Sequence, residues 1–151
     1  MRKLVIATHG KLAAGFKTTL EMLGSAAETL VSYGFYCDED GVDDTLPARC
    51  FAELAPGDQL IVCTDIGFGS VNQAFLKEAV RHPDADVLIV TGVNLPLLLE
   101  LSVSAGPFTH QKLQDMVDQA RAQMGVVEVP QLAGATVSGP ESGTGDGDFF
   151  D

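Results

Sequence analysis

Three glycine-containing turns hold the residues best suited to chemistry in this chain: Thr8-His9-Gly10, Asp65-Ile66-Gly67-Phe68-Gly69-Ser70 and Gly92-Val93-Asn94. A carboxylate that accepts the Nδ1–H of an imidazole fixes the ring's tautomer and leaves Nε2 as a lone pair directed outward. If Asp65 does this for His9, the imidazole is a nucleophile. The turns open helices at about Lys11 and Ser70, and their backbone N–H groups and positive dipole ends suit a phosphoryl group as the electrophile. Ser70 adds a hydroxyl donor. A loose, metaphosphate-like transition state needs positioning and donors for its equatorial oxygens rather than a dedicated acid, which matches this small inventory. Each residue also has a plainer role. Asp65 or Ser70 could cap the following helix, Lys11 could be a solvated helix residue, and Asn94 could bond its own loop. His82, before Pro83, and His110 read as surface or capping residues.

These turns must be placed by regular elements, and the chain alternates them. Lys3 to Ala7 is apolar and partly β-branched without alternation, as in a strand buried on both faces of a parallel sheet. Leu12, Phe16, Leu20 and Leu23 then recur at helical spacing until Gly24. Leu30 to Tyr36 reads as a second strand, followed by an acidic loop with five carboxylates between Asp38 and Asp44. Asp44-Thr45-Leu46-Pro47 starts a short helix. Gln59 to Thr64 is the third strand. Ser70, as a candidate N-cap, opens a helix with Val71, Ala74, Phe75 and Ala79 on one face. Asp86 to Thr91 is the fourth strand, followed by helices over Leu95 to Ser104 and about Thr109 to Met124. The pattern predicts a doubly wound α/β fold: a mainly parallel four-stranded sheet in the order 2-1-3-4, with helices on both faces. Ligands of such sheets collect outside the carboxyl ends of the strands where strand order reverses, which would bring His9 and Asp65 face to face.

With 151 residues, the chain is the size of one domain, expected over 1–129. From Pro130 to Asp151 there are five glycines and four carboxylates without a basic residue, the composition of an acidic tail or linker. Hydrophobic residues make up 46% and charged residues 20%, enough apolar material for a core. A formal charge of −12 has the wrong sign for binding nucleic acid or an anionic membrane surface. No apolar run approaches the ~18 residues of a membrane span, and the N-terminus lacks a signal-peptide pattern, so a cytoplasmic protein is expected. Cys37, Cys50 and Cys63, thirteen residues apart, fit neither a disulfide framework nor a metal clamp and read as small hydrophobes in a reducing compartment. No metal, nucleotide or organic cofactor is expected.

The three turns in order, Thr8-His9-Gly10, Asp65 through Gln73, and Gly92-Val93-Asn94-Leu95-Pro96, resemble the mannose-family IIA component of the bacterial phosphoenolpyruvate-dependent sugar phosphotransferase system. The similarity covers about residues 3 to 129. The resemblance implies that His9 accepts a phosphoryl group from the phosphohistidine of the carrier protein HPr and passes it to a IIB component, which phosphorylates a sugar brought in by a membrane permease. It also implies that Asp65 orients His9, and that Gly67, Phe68, Gly69 and Ser70, with Gly10, contact the phosphoryl group. Family members form homodimers by exchanging a C-terminal strand, and Val126 to Val129 is the segment suited to that part here. Two departures stand out. Phe68 separates Gly67 from Gly69, where many relatives have consecutive glycines, and a β-carbon there restricts positive φ. Val71 replaces a common proline. Relatives fused to a IIB domain continue past this point, so a free-standing or truncated component is expected. Other readings are a phosphotransferase subunit serving dihydroxyacetone kinase, a regulatory module that senses phosphorylation without passing it on, and a small α/β hydrolase or ligand-binding domain.

Overall fold

The structure, a computed structural model, describes residues 1–25, 30–37 and 45–130. The acidic loop Asp38 to Asp44 and the chain after Pro130 lie outside the described residues. Among the described residues, nine elements follow one another: β1 (Arg2–His9), α1 (Leu12–Met22), β2 (Leu30–Phe35), α2 (Leu46–Ala52), β3 (Gln59–Thr64), α3 (Ser70–Arg81), β4 (Asp86–Val90), α4 (Leu95–Val103) and α5 (His110–Ala122). All three strand pairings are parallel and the order is β2-β1-β3-β4, as the alternation of elements predicts.

Side chains of the central strands alternate between two cores. Leu4, Ile6, Ile61 and Cys63 face α1, α4 and α5, where Leu20, Leu98, Leu101 and Met116 cover them. Val5, Ala7, Leu60 and Val62 face α2 and α3, against Phe51, Val71 and Phe75. Burial on both faces is why β1 and β3 read as unbroken apolar runs. Every residue of β3 is buried, whereas β4 at the sheet edge is mostly half-buried.

Polar side chains tie the helices to the strand ends. The buried Thr8 Oγ1 accepts the Ala13 amide at 2.7 Å, supplying one of the acceptors that the first turn of α1 lacks. The buried Asn72 donates to Thr64 Oγ1 at 3.2 Å, pinning the start of α3 to the end of β3. Asn94 caps α4 by accepting from Leu97 N–H and also donates to the Ala120 carbonyl in α5, so the loop-holding role applies.

Two expectations change. Ser70 is not the N-cap of α3: Gly69 holds that position in extended geometry, and Ser70 is the first helical residue with its hydroxyl turned elsewhere. The final strand expected at Val126 to Val129 is absent from the sheet. The last helix ends at Ala122, and Val126, Val127 and Val129 are 98%, 84% and 82% exposed, with no strand beside them among the described residues of this chain.

Candidate functional site

The strand order reverses between β1 and β3. Their register pairs Ala7 with Thr64, so His9 and Asp65, 56 residues apart in sequence, emerge side by side just past the last paired residues. Asp65 Oδ2 accepts the His9 backbone N–H at 2.8 Å, and the His9 Nδ1 lies 3.0 and 3.1 Å from the two carboxylate oxygens. The Ile66 amide donates to Oδ1 at 2.9 Å. Burial alone would raise the Asp65 pKa, but the hydrogen bonds from the His9 amide and ring, with the ring's charge, outweigh it and hold the carboxyl below its ordinary value. An ionised Asp65 can only accept, so Nδ1 carries a proton, and in the neutral ring Nε2 carries the lone pair.

Nε2 faces outward toward the first turn of α3. Ser70 Oγ lies 3.3 Å from it, and the Tyr36 hydroxyl donates to the same Oγ at 2.7 Å. The Tyr36 ring lies nearly parallel to the imidazole, tilted by 8° with centroids 5.5 Å apart. Amides in the first turn of a helix have no intrahelical acceptors and the dipole there is positive, so Nε2 points to ground that favours an anion. The imidazole is clamped yet open, its side chain 34% exposed against 10% for Asp65.

Glycines let the backbones meet. A β-carbon on Gly69 would stand 3.2 Å from the Ile66 carbonyl oxygen and 3.4 Å from His9 Cε1. One on Gly67 would press on the Thr91 methyl at 3.3 Å. Phe68 between them takes φ +61 although it is not glycine, so the turn keeps its left-handed residue despite the β-carbon, at about 1 kcal/mol or more of strain. Its ring projects into solvent, 88% exposed. Gly10 also has positive φ, and its amide donates to the Phe35 carbonyl at 2.7 Å. Gly10 therefore shapes the turn, and its N–H is already committed to the second strand rather than open to a ligand.

Two contributors were not singled out from sequence. In the sequence Tyr36 is the last residue of the second predicted strand, and its position at a carboxyl edge beside the first strand is the available signal. Gly34 pairs with Thr8, and a β-carbon on it would collide with the Gly10 carbonyl and approach Cys37 Sγ at 2.6 Å. The other histidines lie elsewhere. His82 ends α3 and bonds Glu78, while His110 opens α5. Burial raises the Cys50 thiol to about 11 and the Cys63 thiol to about 12, so both stay protonated at neutral pH. Among the described residues, no three His, Cys, Asp or Glu side chains gather in a metal-holding group. No helix among them is long and apolar enough to cross a membrane.

Residues 3–121 match the family model of EIIA-man, the phosphotransferase system (PTS) fructose IIA component. A solved PTS IIA protein associated with the fucose utilization operon of Streptococcus pneumoniae is 27% identical, with a TM-score of 0.69 over 83% of this chain and 92% of that one. The mannose/sorbose-specific IIA subunit of Enterococcus faecalis (20% identical, TM-score 0.70, 87% of this chain and 98% of that one) shares the fold. So does the phosphotransferase component EIIA of Streptococcus agalactiae (24% identical, TM-score 0.68, 85% and 97%). With its three turns in the family's order and four-fifths of its length inside the match, the chain belongs to the mannose-family IIA components of the sugar phosphotransferase system.

Proposed function

We propose that the protein is a phosphoryl carrier that accepts a phosphoryl group on His9 Nε2 from phospho-HPr and passes it to a IIB component. The observation that carries this reading is the clamped imidazole. Asp65 holds Nδ1 at 3.0 Å, leaving Nε2 free beside Ser70 and the start of α3. In the transfer, the P–N bond of the donor phosphohistidine breaks as the bond to Nε2 forms. The electron pair returns to the donor ring, and the Nδ1 proton stays with His9. The ionised Asp65 balances the positive charge that the imidazole gains when Nε2 is bonded to phosphorus. Ser70 and the amides at the start of α3, with the Gly67–Phe68–Gly69 turn, face the equatorial oxygens. The return step to IIB is the same exchange in reverse, so no separate acid or base is required.

Leu12, Tyr36, Ile66 and Phe68, which follow the strand ends that carry the site, are all substantially exposed and offer apolar surface on which a carrier protein can dock. The net charge of −12 favours a basic partner and speeds its approach. HPr and IIB as partners place the protein in the cytoplasm, with the permease reached through IIB. The folded unit runs over residues 1–129.

The same reading includes a homodimer. Among the described residues β4 pairs only with β3, and its other edge runs along an apolar groove lined by Leu76, Val87, Ile89, Leu113 and Val117. Val126 to Val129 of a second copy supplies an apolar, unpaired segment to complete that edge. Sedimentation of the full chain tests this: a dimer that becomes a monomer on Val127→Asp supports it, and a monomeric wild type overturns it.

The central experiment incubates the protein with labelled phosphoenolpyruvate, enzyme I and HPr, then maps the acid-labile label. Label on His9 that discharges to a IIB protein is expected. Label on another residue, or label that never discharges, overturns the carrier reading, and the second outcome favours a phosphorylation sensor.

A further inference from the structure

Tyr36 is a conspicuous residue at this site. It is an aromatic residue at φ +62, in the left-handed region that β-carbons disfavour, and it is 50% exposed, so burial does not explain the geometry. The unusual backbone turn lays its ring against His9 and puts its hydroxyl 2.7 Å from Ser70 Oγ. We propose that Tyr36 is a positioning residue for phosphoryl transfer, which acts by fixing the direction of the Ser70 hydroxyl proton and by holding the imidazole plane. The inference rests on the carrier reading given above and adds a residue that the family resemblance does not assign.

Directionality is the physical core of this proposal. A hydroxyl has one proton and accepts as well as donates. Because the Tyr36 O–H donates to Ser70 Oγ, the lone pairs of Oγ on that side are occupied and the Ser70 proton is left pointing away from Tyr36, toward Nε2 at 3.3 Å. In the free protein this proton covers the Nε2 lone pair loosely. Once phosphorus is bonded to Nε2, the nitrogen can no longer accept, and the same proton is aimed at a phosphoryl oxygen. Without the tyrosine hydroxyl, Ser70 is free to rotate and present its oxygen to the anion, which repels rather than stabilises it. Hydrogen bonds in series polarise one another, so the charge-assisted bond to phosphate is strengthened by the one behind it. The stacked ring meanwhile restricts rotation of the imidazole out of the Asp65 clamp and shields one face from water.

Phosphoryl transfer from phospho-HPr, formed with phosphoenolpyruvate and enzyme I, is measured at limiting times for wild type, Tyr36→Phe, Ser70→Ala and the double variant. Tyr36→Phe keeps the ring and loses only the hydroxyl. We expect it to slow transfer about five- to tenfold, the effect of one hydrogen bond. The loss should be absent in the Ser70→Ala background, because the hydroxyl acts through Ser70. Tyr36→Leu should also shorten the lifetime of the phosphohistidine in water. Circular dichroism establishes that each variant is folded, and nitrogen NMR shifts of the His9 ring report its tautomer and orientation directly in any folded variant. If wild-type protein takes no label on His9, the carrier reading itself has failed. If wild type is labelled and Tyr36→Phe matches it in rate, or slows equally with and without Ser70, the role of Tyr36 is overturned.

Discussion

Helix α3 has a histidine–carboxylate pair at each end. At its start, His9 Nδ1 lies 3.0 Å from Asp65, and at its finish, His82 Nε2 lies 3.1 Å from Glu78. In both pairs the carboxylate side chain is 10% exposed and the imidazole is partly open, at 34% and 44%. By pairing and exposure alone they are hard to tell apart. Their difference lies in what surrounds the second ring nitrogen. At His9 that nitrogen faces Ser70 and the positive end of the helix dipole. His82 sits at the negative end, where the last carbonyls repel an anion. Its ring is packed at 5.1 Å on Phe51, and Arg81 shares the Glu78 carboxylate. A histidine bonded to a carboxylate is thus not a nucleophilic site in itself, and the lesson is to ask where the free nitrogen points.

The largest expected effect separates the two ends outright. His9→Gln should abolish phosphoryl labelling while its circular dichroism spectrum stays native, and His82→Gln should be labelled like wild type. Equal labelling of both variants would erase the contrast. Next come the two carboxylates. Asp65→Asn should lower the transfer rate by at least about a hundredfold, since orienting carboxylates matter this much in other imidazole-dependent sites. Glu78→Gln should leave the rate alone and cost stability of about 1 kcal/mol in urea unfolding.

Gly34→Ala tests whether the first pair depends on the second strand as the geometry requires. The new methyl collides with the Gly10 carbonyl, so the turn after His9 must shift. A stability loss of about 1–3 kcal/mol should accompany slower transfer. Normal transfer in a destabilised protein would show that His9 tolerates movement of its turn.

The smallest effect is a pH dependence. The Asp65 pKa is depressed from the ordinary 3.8, so its folded-state advantage is fully present above that value and is lost as the pH falls through the lower, folded value. The stability difference between wild type and Asp65→Asn should therefore be constant through neutral pH and narrow only below about pH 4. A difference that already narrows well above the ordinary 3.8 would overturn the depressed Asp65 value.

Much of the fold was legible because hydrophobic pattern follows burial. The unbroken apolar runs of β1 and β3 announced central parallel strands, and α3 and α5 announced themselves by helical spacing. Val126 to Val129 show the limit of the same rule: a short apolar, β-branched run satisfies the strand pattern, but within one chain it has no neighbouring strand among the described residues and lies exposed. The pair His9 and Asp65 was legible through topology, since a strand-order reversal puts two loop tips together. Tyr36 and Gly34 were not, because each matters through a neighbour that only the β1–β2 register supplies. Phe68 marks a further boundary. Its sequence context raised the question of how a β-carbon fits a left-handed turn, and the backbone answers it by accepting φ +61.

The amino-acid sequence alone determined the order of elements, the two-sided burial of the central strands and the chemical type of each loop tip, because these follow from local composition and periodicity. Only the tertiary structure decided which nitrogen of His9 is held and which is free, that the Gly10 amide is spent on the second strand, and that a tyrosine closes over the imidazole. Hydrogen-bond direction and ring orientation depend on distances of a few ångströms between residues far apart in the chain, and no local pattern encodes them.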